Sequence, residues 1–172
     1  MRFIAFDLEL TCDKDAQDYP YQIIEIAAVS VVNGEICSTF QSYVKPNKAY
    51  DITPFCTELT GITTAQIAAA PTITQVMASL STFIQQASPE LIMSWGKSDY
   101  TQLEKECSDS GISFPLSTTP YQDFKKNFCK QRKIKRVGLQ TALKIYNLTA
   151  EGRPHSALSD AINLARLYIN VN

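Results

Sequence analysis

The segment Arg2-Phe3-Ile4-Ala5-Phe6-Asp7-Leu8-Glu9-Leu10 decides the reading of this chain. It is apolar on both faces until the two acids appear, as expected of a strand inside a sheet. The residue pattern that follows predicts its neighbours. Tyr21–Val32 (YQIIEIAAVSVV) reads as a second strand, and Asn33-Gly34 is a strong hairpin signal. Glu35–Val44 reads as a third strand, ended by Lys45-Pro46. Together they predict an antiparallel meander.

Beyond Pro46 the period changes. Thr53-Pro54 starts a short helix that Gly61 ends, and Thr63–Ala69 reads as another helical piece stopped by Pro71. Thr72 caps a longer helix to about Gln86, with Val76, Leu80, Phe83 and Ile84 on one face. Leu91–Trp95 reads as a short buried strand closed by Gly96, and Ser98–Cys107 as a helix. A strand candidate at Thr119–Phe124, a basic segment, and helices at Leu139–Tyr146 and Ser156–Ile169 complete the chain. On the last helix, Leu158, Ile162, Ala165 and Ile169 are spaced for burial. No repeat, low-complexity tract or linker interrupts the pattern, so residues 1–172 are expected to form a single α/β domain.

Composition narrows the function classes. The chain has 172 residues, 45% of them apolar and 19% charged, which is enough apolar content for a core. No run of 18 or more apolar residues is present, and a signal peptide is not expected because an acid comes within seven residues of Met1. A cytoplasmic protein with no membrane association is therefore expected. The five cysteines, Cys12, Cys37, Cys56, Cys107 and Cys129, are scattered without a CxxC pair, which reads as reduced thiols rather than a disulfide framework or zinc site. The net charge of −1 hides a local excess. Lys125, Lys126, Lys130, Arg132, Lys133, Lys135 and Arg136 fall within twelve residues, a candidate contact for a phosphate backbone and equally a solvated loop or helix face.

Asp7 and Glu9 stand two apart on a strand, so both carboxylates point to one side while Phe6, Leu8 and Leu10 point to the other. Two acids side by side repel, and burying them without a partner costs several kcal/mol or forces protonation. A divalent cation resolves the conflict, and hard oxygen ligands suit Mg²⁺ or Mn²⁺. Acids at an exposed strand end would need no metal. Asp99 follows the buried strand at the start of a helix, where α/β folds place their sites. His155, the only histidine, sits behind Gly152-Arg153-Pro154 at the mouth of the last helix, and Asp160 lies five residues on. A histidine so placed is a candidate for proton transfer.

Phe6-Asp7-Leu8-Glu9 with Thr11, Asp99 after SWGKSD, and His155-Ser-Ala-Leu-Ser-Asp160 resemble the three motifs of the DnaQ-like 3′→5′ exonucleases, in the subtype with four acids and a histidine. The tyrosine subtype is excluded by His155. Segments such as IIEIAAV, ITPFCTELTGIT and SWGKSDYTQL are similar to the RNA-trimming branch, which acts on histone mRNA ends and small RNAs. The resemblance runs along nearly the whole chain. It implies an RNase H-like fold, a mixed five-stranded sheet flanked by helices. It also implies that Asp7, Glu9, Asp99 and Asp160 hold two Mg²⁺ or Mn²⁺ ions, roughly 4 Å apart, with His155 as general base. By the same resemblance Leu10, Thr11, Leu59, Thr60 and Trp95 hold the 3′-terminal nucleotide, with core packing the alternative for Trp95. RNA is the implied substrate ahead of single-stranded DNA, with nucleoside 5′-monophosphates as products. Some members dimerise, so a homodimer is open. A haloacid dehalogenase-type phosphotransferase would leave His155 and Asp160 without a role. A non-catalytic nucleic-acid-binding module would be expected to have lost one of these five residues. A proofreading subunit acting on DNA would share the chemistry.

Overall fold

A computed structural model describes residues 1–15, 20–47 and 52–171. The meander is present as β1 (Arg2–Leu10), β2 (Ile23–Val32) and β3 (Glu35–Tyr43). Asn33 and Gly34 both take positive φ, 52° and 87°, the pairing that lets a two-residue turn follow the strand twist. β4 (Leu91–Ser94) and β5 (Tyr121–Asp123) extend the sheet in the order β3-β2-β1-β4-β5. β1 and β2 pair antiparallel, as do β2 and β3, whereas β4 runs parallel to both β1 and β5. The result is a mixed five-stranded sheet with β1 at its centre.

Seven helices occur among the described residues: α1 (Pro54–Thr60), α2 (Thr64–Ala68), α3 (Ile73–Ala87), α4 (Lys97–Asp109), α5 (Phe124–Arg132), α6 (Leu139–Ile145) and α7 (Ala157–Val171). Thr53, Thr63 and Thr72 cap the first three through their side chains, the last as the sequence predicts. The strand alternation divides the core in two. Ile4, Phe6 and Leu8 pack with Ile26, Ala28 and Ile92 against α3 and α4, whereas Phe3, Ala5, Val29 and Met93 pack against α5, α6 and α7. Asp7 and Glu9 continue the second of these rows, so the period of two aims both acids at the α7 side.

Four expectations shift. β2 starts at Ile23 rather than Tyr21, where β1 and β2 change register between Glu9 and Leu10 and Tyr21 is left exposed. The basic segment is largely helix: Asp123 caps α5 by accepting from the Lys126 N–H at 2.9 Å, and Phe124, Phe128 and Cys129 fill its narrow buried stripe. On α7 the deeply buried row is Ala157, Ala161, Leu164, Ala165 and Leu167, with Leu158, Ile162 and Ile169 half-buried beside it. Alanines there let the helix approach the sheet closely, and a pattern search for large apolar residues passes over them. Phe83 is likewise half-buried, its ring 5.8 Å from that of Phe40. No described helix is long and apolar enough to cross a membrane.

Candidate active site

The β1 acids meet two further acids delivered by helix starts. Gly96 precedes α4, and Asp99 stands in that helix's first turn, where the dipole favours negative charge. Asp160 stands in the first turn of α7. Its Oδ2 accepts from the His155 backbone N–H at 3.1 Å, and its Oδ1 faces Gln140 Nε2 at 3.5 Å. His155 has φ of 58°, a left-handed conformation rare for a side-chain-bearing residue, and the bond to Asp160 holds it there. Gly152 opens the same approach at φ 68°, with Ser159 against the space a Cβ would need. Arg153 anchors the loop by donating from Nη2 to the carbonyls of Glu58 at 2.7 Å and Leu59 at 3.3 Å.

All five predicted chemical residues, Asp7, Glu9, Asp99, His155 and Asp160, therefore face one cavity of about 400 Å³. Trp95, Lys125, Leu139 and Gln140 complete much of its wall. Burial lifts all four carboxyls, and neighbouring acids add to it at Asp7 and Glu9. Asp7 is raised well above the usual carboxylate range, first by burial and then by Asp99 and Glu9. Burial, with Asp160 and Glu25 nearby, pushes Glu9 up to about 8. Burial takes Asp99 to about 7 even though Lys125 pulls it back. Burial also raises Asp160, against the His155 N–H that holds it down. Such a cluster is electrostatically unfinished.

The donor set fits a divalent cation. Glu9, His155 and Asp160 each bring a ligand atom to within 4.8 Å of the others, and the carboxylates add hard oxygens in a cavity with little positive charge.

The residues expected around the nucleotide are less unified. Of the five, only Trp95 lines the cavity. Thr11 is fully buried, donating to the Pro20 carbonyl at 3.1 Å and accepting from Gln22 N–H at 2.9 Å. Thr60 is buried too, its hydroxyl bonded to the Cys56 carbonyl and the Ile62 N–H. Both hydroxyls stitch backbone. Leu10 packs half-buried beside the α3 core, and Leu59 lines a separate groove with Lys14 and Phe55. Trp95 is 7% exposed and edge-to-face with Phe124 and Phe128 at 6.0 and 5.6 Å. Core packing accounts for most of that ring.

The basic segment divides as well. Lys125 enters the cavity wall, Arg132 lies over the rings of Phe128 and Tyr146 at 4.1 and 4.8 Å, and Lys126, Lys130, Lys133, Lys135 and Arg136 are exposed. The sequence does not single out Glu25 or Gln140, and it marks Lys125 only as part of the basic segment. Glu25 did carry a signal, as the one charge inside the apolar run IIEIAAV.

Comparison with known proteins shows the family and the fold. The family described as Exonuclease (RNase T) matches residues 4–168. The chain is 31% identical over 186 residues to ERI1 exoribonuclease 2 of Danio rerio, covering 95% of this chain and 34% of that protein. It is 31% identical over 183 residues to ERI1 exoribonuclease 3 of Homo sapiens, covering 96% and 52%. It thus spans about a quarter to a half of the length of the curated relatives it matches. Among solved structures, the nuclease domain of 3′hExo, a DEDDh family member bound to rAMP, superposes with TM-score 0.90 at 27% identity, over 99% of this chain and 90% of that one. A 3′-exonuclease described in 3′-end-specific recognition of a histone mRNA stem-loop superposes with TM-score 0.91 at 26% identity, over 99% and 63%.

Proposed function

The chain belongs to the Exonuclease (RNase T) family, and from that membership we propose that residues 1–172 form a single domain removing nucleotides from the 3′ end of RNA, ahead of single-stranded DNA, as nucleoside 5′-monophosphates. The observation that carries this reading is the convergence of four carboxylates and the lone histidine, from β1, α4 and the start of α7, on one cavity.

Asp7, Glu9, Asp99 and Asp160 would hold two Mg²⁺ or Mn²⁺ ions, which when bound offset the charge that develops on the attacking and leaving oxygens. His155, exposed at the cavity and held at φ 58° by its N–H bond to Asp160, would take the proton from the attacking water. Glu9 and Asp160 stand beside His155, with ligand atoms within 4.8 Å of the ring, so the proton acceptor and the cation-binding carboxylates would approach a phosphodiester together. Trp95 and Leu139 contribute apolar wall to the terminal nucleotide. Leu10, Thr11, Leu59 and Thr60 then act on it by shaping the backbone around it.

The exposed lysines and arginine of the basic segment, Lys126, Lys130, Lys133, Lys135 and Arg136, suit the backbone of the strand entering beside Lys125. RNA is placed first because the relatives above are named exoribonucleases. A cytoplasmic setting suits the five free thiols. A homodimer is compatible with this chemistry, whose five residues all come from one chain.

The test is a 5′-labelled single-stranded RNA and its DNA counterpart, each with Mg²⁺, Mn²⁺ or EDTA. A cation-dependent ladder shortening from the 3′ end, faster on RNA, is expected. Intact label that still shifts on a gel would replace the enzyme by a binding module, and faster DNA cleavage would reverse the substrate order.

A further inference from the structure

Glu25 is the third residue of β2, directly across the sheet register from Glu9, and is 2% exposed. Ile24 and Ile26 flank it along the strand and point to the opposite face, so Glu25 is a buried acid beside Glu9 on the α7 side. None of the ion pairs among the described residues involves it. Its carboxylate instead takes two hydrogen bonds. Oε1 accepts from Gln41 Nε2 on β3 at 2.6 Å, and Oε2 accepts from the Ala157 N–H at 3.0 Å.

The second bond is the informative one. Ala157 is the first residue of α7, whose opening amides have no partner inside the helix. Glu25 therefore caps α7 from the neighbouring strand rather than from the adjoining loop. The capped amide lies two residues after His155 and three before Asp160. The same turn is closed by the His155 N–H on Asp160 and by the Asp160 N–H on the Ser156 carbonyl at 2.9 Å. An aliphatic residue at position 25 could not make this connection.

We infer that Glu25 is a positioning residue: it pins the start of α7 to β2 opposite Glu9, and so sets where Asp160 and His155 stand against the β1 carboxylates. The inference rests on the exonuclease reading for its catalytic consequence, though the geometry it describes does not.

Two substitutions separate the acceptor from the charge. Glu25→Gln keeps an oxygen for the Ala157 N–H, and a rotated Gln41 amide can meet the new NH₂. Glu25→Met keeps the length and removes the acceptor. Three readouts follow, each on protein checked for fold by circular dichroism: kcat and KM on labelled RNA, direct Mn²⁺ binding by calorimetry, and the ring Cε1–H resonance of His155, unambiguous in a chain with one histidine.

For Glu25→Met, kcat should fall by roughly 10–100-fold and Mn²⁺ affinity by about tenfold, the usual effect of losing a group that orients ligands. KM should stay within about threefold, since Glu25 lies outside the substrate cavity. The His155 resonance should move. Glu25→Gln should keep kcat within about threefold and leave the resonance in place. A Met variant with wild-type kcat, Mn²⁺ affinity and His155 resonance overturns the inference. So does a Gln variant that loses about tenfold or more in kcat or shifts the resonance, and this arm decides alone if the Met variant fails to fold. If the wild-type protein cleaves no nucleic acid, the function above fails while Mn²⁺ binding and the resonance still judge Glu25.

Discussion

Raising the pH from about 5 to about 8 in EDTA should lower the melting temperature, and a divalent cation should restore it. Glu9 illustrates the size. It is buried to 7% exposure, and its carboxyl is raised from 4.5 to about 8. A carboxyl raised in the folded state contributes stability that is fully present below its unfolded pKa and is lost as pH rises through its folded pKa. Ionisation in the unfolded chain is well under way above pH 5, while the folded carboxyl holds its proton to about pH 8. Linkage across that window gives a loss of roughly 3–4 kcal/mol from Glu9. At about 2–4 °C per kcal/mol for a chain of this size, the melting temperature should fall by about 10 °C. Asp7, Asp99 and Asp160 are raised too, so they act in the same direction, though the four titrate as one cluster and their effects do not simply sum. Thermal melts at a series of pH values, with EDTA and with saturating Mg²⁺ or Mn²⁺, measure this. The cation should raise the melting temperature far more near pH 8 than near pH 5, where it must displace protons. Glu9→Gln should flatten the EDTA slope. A melting temperature that is level or rising from pH 5 to 8 in EDTA, or that ignores the cation at pH 8, would refute the picture of a strained carboxylate cluster awaiting metal.

Other variants address single roles. Asp7→Ala should abolish hydrolysis while leaving the circular dichroism spectrum unchanged, and wild-type rates on labelled RNA would remove β1 from the cation site. His155→Ala should cut kcat by roughly two to four orders of magnitude, the range for a lost general base, and a smaller loss in single-turnover assays would send the proton elsewhere. Replacing Lys126 and Lys130 together by Ala should raise KM with kcat nearly unchanged and flatten the salt dependence by roughly 0.7 log unit per lost phosphate contact. An unchanged slope would make that face of α5 a solvated surface. Thr60→Val removes a buried hydroxyl that serves Cys56 and Ile62, and should cost about 1–3 kcal/mol in urea unfolding while sparing chemistry.

The chemistry was legible in the chain because it depends on local facts. A strand has a period of two, so Asp7 and Glu9 had to share a face whatever sheet they joined. A carboxylate just after a strand, and a histidine five before an acid at a helix mouth, are likewise local patterns, and all five residues do meet in one cavity. The meander was legible for the same reason, through Asn33-Gly34 and the apolar runs on either side.

What the tertiary structure decided depends on partners distant in sequence. The basic segment gave little hydrophobic period, yet Phe124 and Phe128 found Trp95, and that packing makes α5 a helix. The same packing encloses the tryptophan expected to receive a base. Thr11 and Thr60 carry hydroxyls that could have faced a ligand, and only the fold shows both bonded to backbone. Glu25 is separated from Ala157 by 132 positions, so no window of sequence contains the bond between them. A chain dictates which faces of each element are apolar and which acids share a side. Which buried polar atom finds which partner is settled only when the elements pack, because desolvation leaves each of them the few partners that packing brings within hydrogen-bond reach.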